Sequence, residues 1–191
     1  LAHRYNAPII ATPYTTELIR QQIAGEQKSA PGNKLFALRA GQRYTLSQTL
    51  ALEFVRAQHS IIDTVIPVLH TPQGAIVYAL DFKFDRSPVI GEPPDFARLR
   101  QIGKEGVLAL IVECTNIGRK GRCPSERVAR DLVRDTIPSY EDDKNAIIVS
   151  TFSSHISRIK TIAECAHEIG RKPVLLGRSM EKYAVTAEQM K

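Results

Sequence analysis

The sequence predicts an α/β fold in two parts. The first observation behind this is a run of short apolar segments, separated by tight turns, that reaches to Asp85. The second is a fully apolar hexad, Val107-Leu108-Ala109-Leu110-Ile111-Val112. The third is an alternation of strand-like and helix-like segments after Cys123. Short strands with tight turns build a β-rich sheet, and strand–helix alternation builds a parallel one. A boundary near Cys123 therefore divides the chain into residues 1–123 and 124–191.

The elements follow in order. Residues 8–12 form a short strand. Pro13 opens a helix, with Thr12 as N-cap and Leu18, Ile19 and Ile23 as the apolar stripe. Residues 25–33, polar with Pro31 and Gly32, form a loop. Short strands at 36–38 and 44–46 flank the turn at Gly41, and a longer one covers 50–57. Residues 64–70 form the next strand, and Thr71-Pro72-Gln73-Gly74 reverses it. The run Ala75-Ile76-Val77-Tyr78-Ala79-Leu80 reads as a buried strand ending at Asp81. After a loop at 87–95 come a short helix at 96–103 and the apolar strand at 107–112, which ends at Glu113. Pro124-Ser125-Glu126 opens a helix that runs to Arg134. Strands at 146–149 and 173–176 then alternate with helices at 155–169 and from Ser179.

The bulk numbers exclude some classes. The hydrophobic fraction of 43% is enough for a core, and no apolar run is long enough to cross a membrane. Leu1-Ala2-His3-Arg4-Tyr5-Asn6 lacks the apolar centre of a secretory signal. A first residue other than Met, and a last helical pattern with no closing strand, read as a fragment. The net charge of +6 and isoelectric point near 9.3 suit a polyanionic partner. Cys114, Cys123 and Cys165 are odd in number and lack metal-ligand spacing, so they read as free thiols of a reducing compartment.

Three strand ends carry groups suited to chemistry: His59, Asp81 and Glu113. Imidazole and carboxylate are the donors expected for zinc or manganese, and a metal-bound hydroxide can attack a phosphodiester. The competing reading of Asp81 is a helix N-cap, and that of His59 a hydrogen-bonded surface residue. Thr151-Phe152-Ser153-Ser154-His155 and Gly177-Arg178-Ser179-Met180 each lie between a predicted strand and a helix. Such loops bind phosphate through N–H groups and hydroxyls, and Arg178 can grip it bidentately. Plain capping by Ser153 or Ser179 is the alternative. His155 suits acid catalysis or a phosphate hydrogen bond. Arg127, Arg130 and Arg134 share a helix face that is either solvated or follows a nucleic-acid backbone. His3, His70 and His167 have no comparable setting, and His167 sits on a solvated face among Glu164, Glu168 and Arg171.

Several of these stretches together resemble the successive motifs of ribonuclease J, a family of metallo-β-lactamase/β-CASP nucleases. They are Gln58-His59-Ser60-Ile61-Ile62-Asp63, Asp81-Phe82-Lys83-Phe84-Asp85, Glu113-Cys114-Thr115-Asn116, and the two phosphate-type loops. The resemblance runs over nearly the whole chain, and Ser153-Ser154-His155 is most similar to the archaeal branch. It implies a partial metallo-β-lactamase αββα sandwich over 1–123, followed by part of a Rossmann-like β-CASP domain over 124–191. It implies that His59 is a metal ligand, that Asp81 bridges two zinc ions, and that Glu113 lies beside the metal centre. Manganese and magnesium are alternative metals. It also implies that Asp81, Glu113 and His155 serve catalysis, and that Ser153, Ser154, His155, Arg178 and Ser179 line the RNA or 5′-phosphate side. The implied activity is 5′-to-3′ exonuclease cleavage of RNA with a 5′-monophosphate end, with endonuclease activity in some members. The implied setting is a cytoplasmic homodimer with no membrane partner.

The chain departs from the family pattern at Leu80, Ile62 and Ser157, where Gly, Pro and, in bacterial members, His are usual. The family's His-x-His-x-Asp-His motif does not occur in the chain. The fragment by itself is therefore expected to be inactive. The alternatives are an RNA 3′-end-processing endonuclease, a DNA-repair nuclease of the same superfamily, and a metal-free RNA-binding module.

Overall fold

The computed structural model describes residues 5, 7–25, 34–141 and 144–190. The chain divides into two compact units. One comprises Leu1–His59, Asp63–Phe84 and Pro94–Lys120; the other comprises Ser60–Ile62, Asp85–Pro93 and Gly121–Lys191.

In the first unit, β1 (Ile9–Ala11) and β2 (Leu35–Ala37) pair in parallel, with Ile10 opposite Phe36. Helix α1 (Pro13–Gly25) follows β1 and buries Tyr14, Thr16 and Leu18. The Thr12 carbonyl accepts the Thr16 N–H at 2.8 Å, which starts the helix. Ile19 and Ile23 of the expected stripe are only half-buried. Most of the loop expected at 25–33 lies outside the described residues.

The larger sheet runs β3 (Arg43–Thr45), β4 (Ala51–Arg56), β5 (Val65–Thr71), β6 (Gly74–Ala79) and β7 (Val107–Val112) in spatial order. Pairing is antiparallel from β3 to β6 and parallel between β6 and β7. A hairpin cannot join parallel neighbours. Helix α2 (Phe96–Glu105) lies in the crossover, and the Asp95 carboxylate accepts the Arg98 N–H at 2.9 Å as its cap. The turn into β6 requires Gly74. Its φ is +132°, and a Cβ there would lie 3.3 Å from the Leu108 Cβ.

Two-residue periodicity turns Ala75, Val77 and Ala79 of β6 into one core with Val55, Ile66, Val68 and Ile102. The other face of β6 is open, and Tyr78 is 44% exposed. The stretch 75–80 is thus buried on one face, although its composition suggests two. Strand β7 is apolar throughout, yet Leu108 and Leu110 are both exposed. An apolar run specifies a strand but does not say how many of its faces are covered.

One buried charge cluster sits in this sheet. Glu53 of β4 accepts Arg98 Nε at 2.6 Å and Nη2 at 2.9 Å, and its Oε2 lies 2.6 Å from His70 Nε2. Arg98, and then His70, hold the Glu53 carboxyl below its ordinary range against the opposing effect of burial. His70, without a role in the sequence reading, is therefore a structural partner.

In the second unit, α3 (Glu126–Thr136) runs into a 3-10 turn, Ile137–Tyr140, and α4 (Ile156–Glu168) and α5 (Arg178–Gln189) follow. Ile137, Ile156, Ile159 and Cys165 are buried. Burial pushes the Cys165 thiol up, while Cys114 and Cys123 are exposed, and all three are free. The strands expected at 146–149 and 173–176 are corrected: among the described residues neither segment belongs to a β-ladder. Both line a cavity of about 500 Å³ with Ile159, Ile162 and Met180. Apolar runs favour extended backbone, but a ladder also needs a neighbour in register, which periodicity does not encode.

Glu53→Gln is expected to lower the unfolding free energy by roughly 2–4 kcal/mol at neutral pH, because it leaves Arg98 and His70 without their buried carboxylate. The folded pKa of Glu53 is depressed, so its contribution is complete above the ordinary value of 4.5 and is lost as pH falls below it. Urea unfolding of both proteins at neutral pH and near pH 3 checks this: the difference should narrow in acid.

Candidate functional site

β4 is antiparallel to β5, β5 to β6, and β6 is parallel to β7, so β4, β6 and β7 point the same way. Their carboxyl ends share one sheet edge. Two backbone contacts beyond the strands extend that edge. The Lys83 N–H donates to the Gln58 carbonyl at 2.6 Å, and the Glu113 N–H donates to the Ala79 carbonyl at 3.2 Å. His59, next to Gln58, Asp81, between Ala79 and Lys83, and Glu113 are thereby carried to the same edge.

His59 and Asp81 are exposed and Glu113 is half-buried. Hydrogen bonds from Thr115 hold the Glu113 carboxyl below its ordinary range, and the charge of His59 adds to this. One of these bonds, from the Thr115 N–H to Oε2, measures 2.7 Å. The helix-cap alternative for Asp81 falls, since the next helix begins at Phe96 and is capped by Asp95.

The donor types at this edge match zinc, but their number falls short. Among the described residues no group of three or more His, Cys, Asp and Glu could hold a metal ion. A zinc site takes at least three protein ligands. The described residues alone therefore do not fit a complete metal centre.

The second unit carries the other predicted residues. His155 is the N-cap residue of α4, and its carbonyl accepts the N–H groups of Arg158 and Ile159, each at 3.0 Å. Its Nδ1 is buried, and its Nε2 lies 3.4 Å from Glu126 Oε2. Ser154 Oγ lies 3.5 Å from Ser60 Oγ, and the Ser60 carbonyl accepts the Ile156 N–H at 3.2 Å. Neither α4 nor α5 has a side-chain cap bond: their N-cap residues are His155 and Gly177, not Ser153 or Ser179. Arg178 and Ser179 are exposed on the first turn of α5, and Ser153 is half-buried in the turn before α4.

Sequence reasoning missed what holds this region. Asp85 is buried and accepts from Ser125 Oγ at 2.6 Å, the Glu126 N–H at 2.7 Å and the Ser87 N–H at 2.9 Å. Glu126, also buried, accepts Arg158 Nε at 2.8 Å and Nη2 at 3.1 Å. The only sequence signal was Pro124-Ser125-Glu126 as a helix opening, and Ser125 Oγ does accept the Arg127 N–H. The arginine stripe is partly consumed: Arg130 pairs with Asp131 at 2.7 Å, and Arg134 with Glu168 at 3.4 Å and Glu164 at 3.7 Å. His167 is exposed, as expected, and His3 lies outside the described residues.

Comparison with known proteins points to one family. The family model "Ribonuclease J, beta-CASP domain" matches residues 144–191. Ribonuclease J of Methanocaldococcus jannaschii is 50% identical over 190 residues, which cover 100% of this chain and 42% of that protein. Ribonuclease J of Pyrococcus abyssi is 41% identical, over 98% of this chain and 42% of that protein. The chain belongs to the ribonuclease J family. It spans 42% of the length of these two relatives. A bacterial member, Ribonuclease J of Thermus thermophilus, is 35% identical over 96% of this chain and 31% of that protein. A solved structure, a protein of unknown function from Enterococcus faecalis V583, aligns with a TM-score of 0.55 at 15% identity. It covers 93% of this chain and 43% of that one, and it shows the shared fold alone.

Asp85→Ala is expected to cost about 2–3 kcal/mol of stability, because it orphans two donors at the start of α3, Ser125 Oγ and the Glu126 N–H, and the Ser87 N–H of the preceding loop. Denaturant titration followed by circular dichroism measures it. The same substitution at exposed Asp131 should change stability by less than about 0.5 kcal/mol.

Proposed function

We propose that the whole protein is a metal-dependent ribonuclease of ribonuclease J type. It hydrolyses RNA phosphodiesters by 5′-to-3′ exonuclease action, with endonuclease cleavage as a second mode, in RNA processing and decay. The observation that carries this reading is the convergence of His59, Asp81 and Glu113 on one sheet edge, in a chain half-identical to a Ribonuclease J along its length. His59 and Asp81 would hold zinc together with ligands from outside the described residues, and Glu113 would act beside them. Manganese or magnesium is the alternative ion. Residues 1–123 are assigned to a metallo-β-lactamase domain and 124–191 to a β-CASP domain, supported for the latter by the family-model match at 144–191.

Ser153, Ser154, His155, Arg178 and Ser179 are assigned to the RNA, with its 5′-monophosphate end as the preferred ligand. The exposed first turn of α5 supports this for Arg178 and Ser179. We further assign a cytoplasmic homodimer; among the described residues no helix is long and apolar enough to cross a membrane. A second reading is a metal-free RNA-binding module, and the small number of metal donors among the described residues favours it.

The test is Asp81→Ala in the whole protein. Loss of cleavage by about 100-fold or more, with less bound metal by elemental analysis, is expected for the nuclease. Wild-type cleavage in that variant removes the role of Asp81. Arg178→Ala is expected to reduce preference for a 5′-monophosphate over a 5′-triphosphate end by about tenfold, at unchanged metal content. Competition cleavage of the two RNAs measures this; a parallel fall in metal content makes Arg178 structural.

A further inference from the structure

Phe84 lies three residues beyond Asp81, in the segment that leaves the carboxyl end of β6. Its side chain is 53% exposed. A single exposed apolar side chain is ordinary on a protein surface, but this one is held in place. Its ring centroid lies 4.8 Å from that of Phe82 and 5.5 Å from that of Phe96. Phe82 packs against the core of the larger sheet, and Phe96 begins α2, whose first turn Asp95 caps. The two contacts are tilted by 50° and 59°, so neither is a parallel stack. The Lys83 N–H, bonded to the Gln58 carbonyl at 2.6 Å, fixes the backbone one residue earlier. All of these residues belong to the first unit.

We propose that Phe84 is a stacking platform for an unpaired base of single-stranded RNA. Every base offers a π-face, so such a platform takes RNA without choosing its sequence. A ring already held by its neighbours loses little freedom on binding. Three residues of chain place the Cα atoms of Asp81 and Phe84 within about 11 Å of each other. With a strand rise of about 3.4 Å per nucleotide, the stacked base lies no more than about three nucleotides from a phosphate at the Asp81 edge. The platform thereby sets the register of the strand near the bond to be cut. The proposal rests on the ribonuclease reading above, in which Asp81 stands at the reacting phosphate.

The experiment uses the whole protein, a chelator and a single-stranded 5′-monophosphate RNA. Fluorescence anisotropy gives the affinity for that RNA, and for a set in which one nucleotide at a time is made abasic. An abasic nucleotide keeps the phosphate and loses only the stacking face. The variants are Phe84→Leu, which keeps apolar bulk and removes the ring, and Phe84→Tyr, which keeps the ring. Phe84→Trp adds an indole fluorophore to a stretch that has none, read as the difference in emission from the wild type. The Tyr and Trp variants retain an aromatic ring against Phe82 and Phe96, so they test the platform even where Phe84→Leu fails to fold.

Phe84→Leu is expected to weaken binding of the intact RNA about tenfold, and Phe84→Tyr by less than about twofold. In the wild type one abasic position should cost about the same tenfold, and that cost should vanish in Phe84→Leu, because the two changes remove the same contact. RNA should also quench the emission of Phe84→Trp. Equal affinity in the wild type and Phe84→Leu, an abasic cost that persists in Phe84→Leu, or emission from Phe84→Trp that RNA leaves unchanged overturns the platform while leaving the ribonuclease reading intact. A wild-type protein that binds no RNA, and cleaves none with metal, overturns that reading, and this proposal with it.

Discussion

The pairing of β6 governs the first unit. β6 is antiparallel to β5 and parallel to β7, with Ala79 opposite Val112. A parallel neighbour demands a crossover, and α2 lies in it with Ile102 in the core. The same pairing aligns the carboxyl ends of β4, β6 and β7. Without it Glu113 would leave the opposite edge of the sheet from His59 and Asp81. At that edge His59 and Asp81 are exposed and Glu113 is half-buried, while the buried face of β6 behind them is apolar.

Each unit holds a buried carboxylate, satisfied in the same physical way. Glu53 is gripped by Arg98 and lies against His70, and Glu126 is gripped by Arg158 and lies against His155. A buried carboxylate is tolerated only when such partners replace its hydration. The consequences differ. The first cluster ties a sheet to the helix that crosses it. The second joins the starts of two helices, α3 and α4, and Asp85 extends it to the loop that follows β6.

Much of the fold was legible because local pattern decides it. The strands from β3 to β7 and the helices α1 to α5 all lie where periodicity and turn residues put them, with ends shifted by a few residues. Burial was less legible: the apolar composition of β7 does not reveal that Leu108 and Leu110 are open. The two segments at 146–149 and 173–176 show the same gap, since a ladder is a property of two strands and not of one. At the site, His59, Asp81 and Glu113 were legible as strand ends, but their shared edge depends on pairings no local pattern encodes. The Asp85–Glu126–Arg158 network was not legible at all. Its bonds join residues 41 and 32 positions apart, and nothing in the local sequence of Glu126 marks its partner.

The most direct measurement is cleavage of 5′-monophosphate and 5′-triphosphate RNA by the whole protein, with zinc or manganese and again with a chelator. Metal-dependent cleavage that prefers the monophosphate end and stops on chelation is expected. RNA left intact with either metal, or cleavage that survives chelation unchanged, contradicts the assignment of the β4, β6 and β7 edge to a metal-dependent ribonuclease.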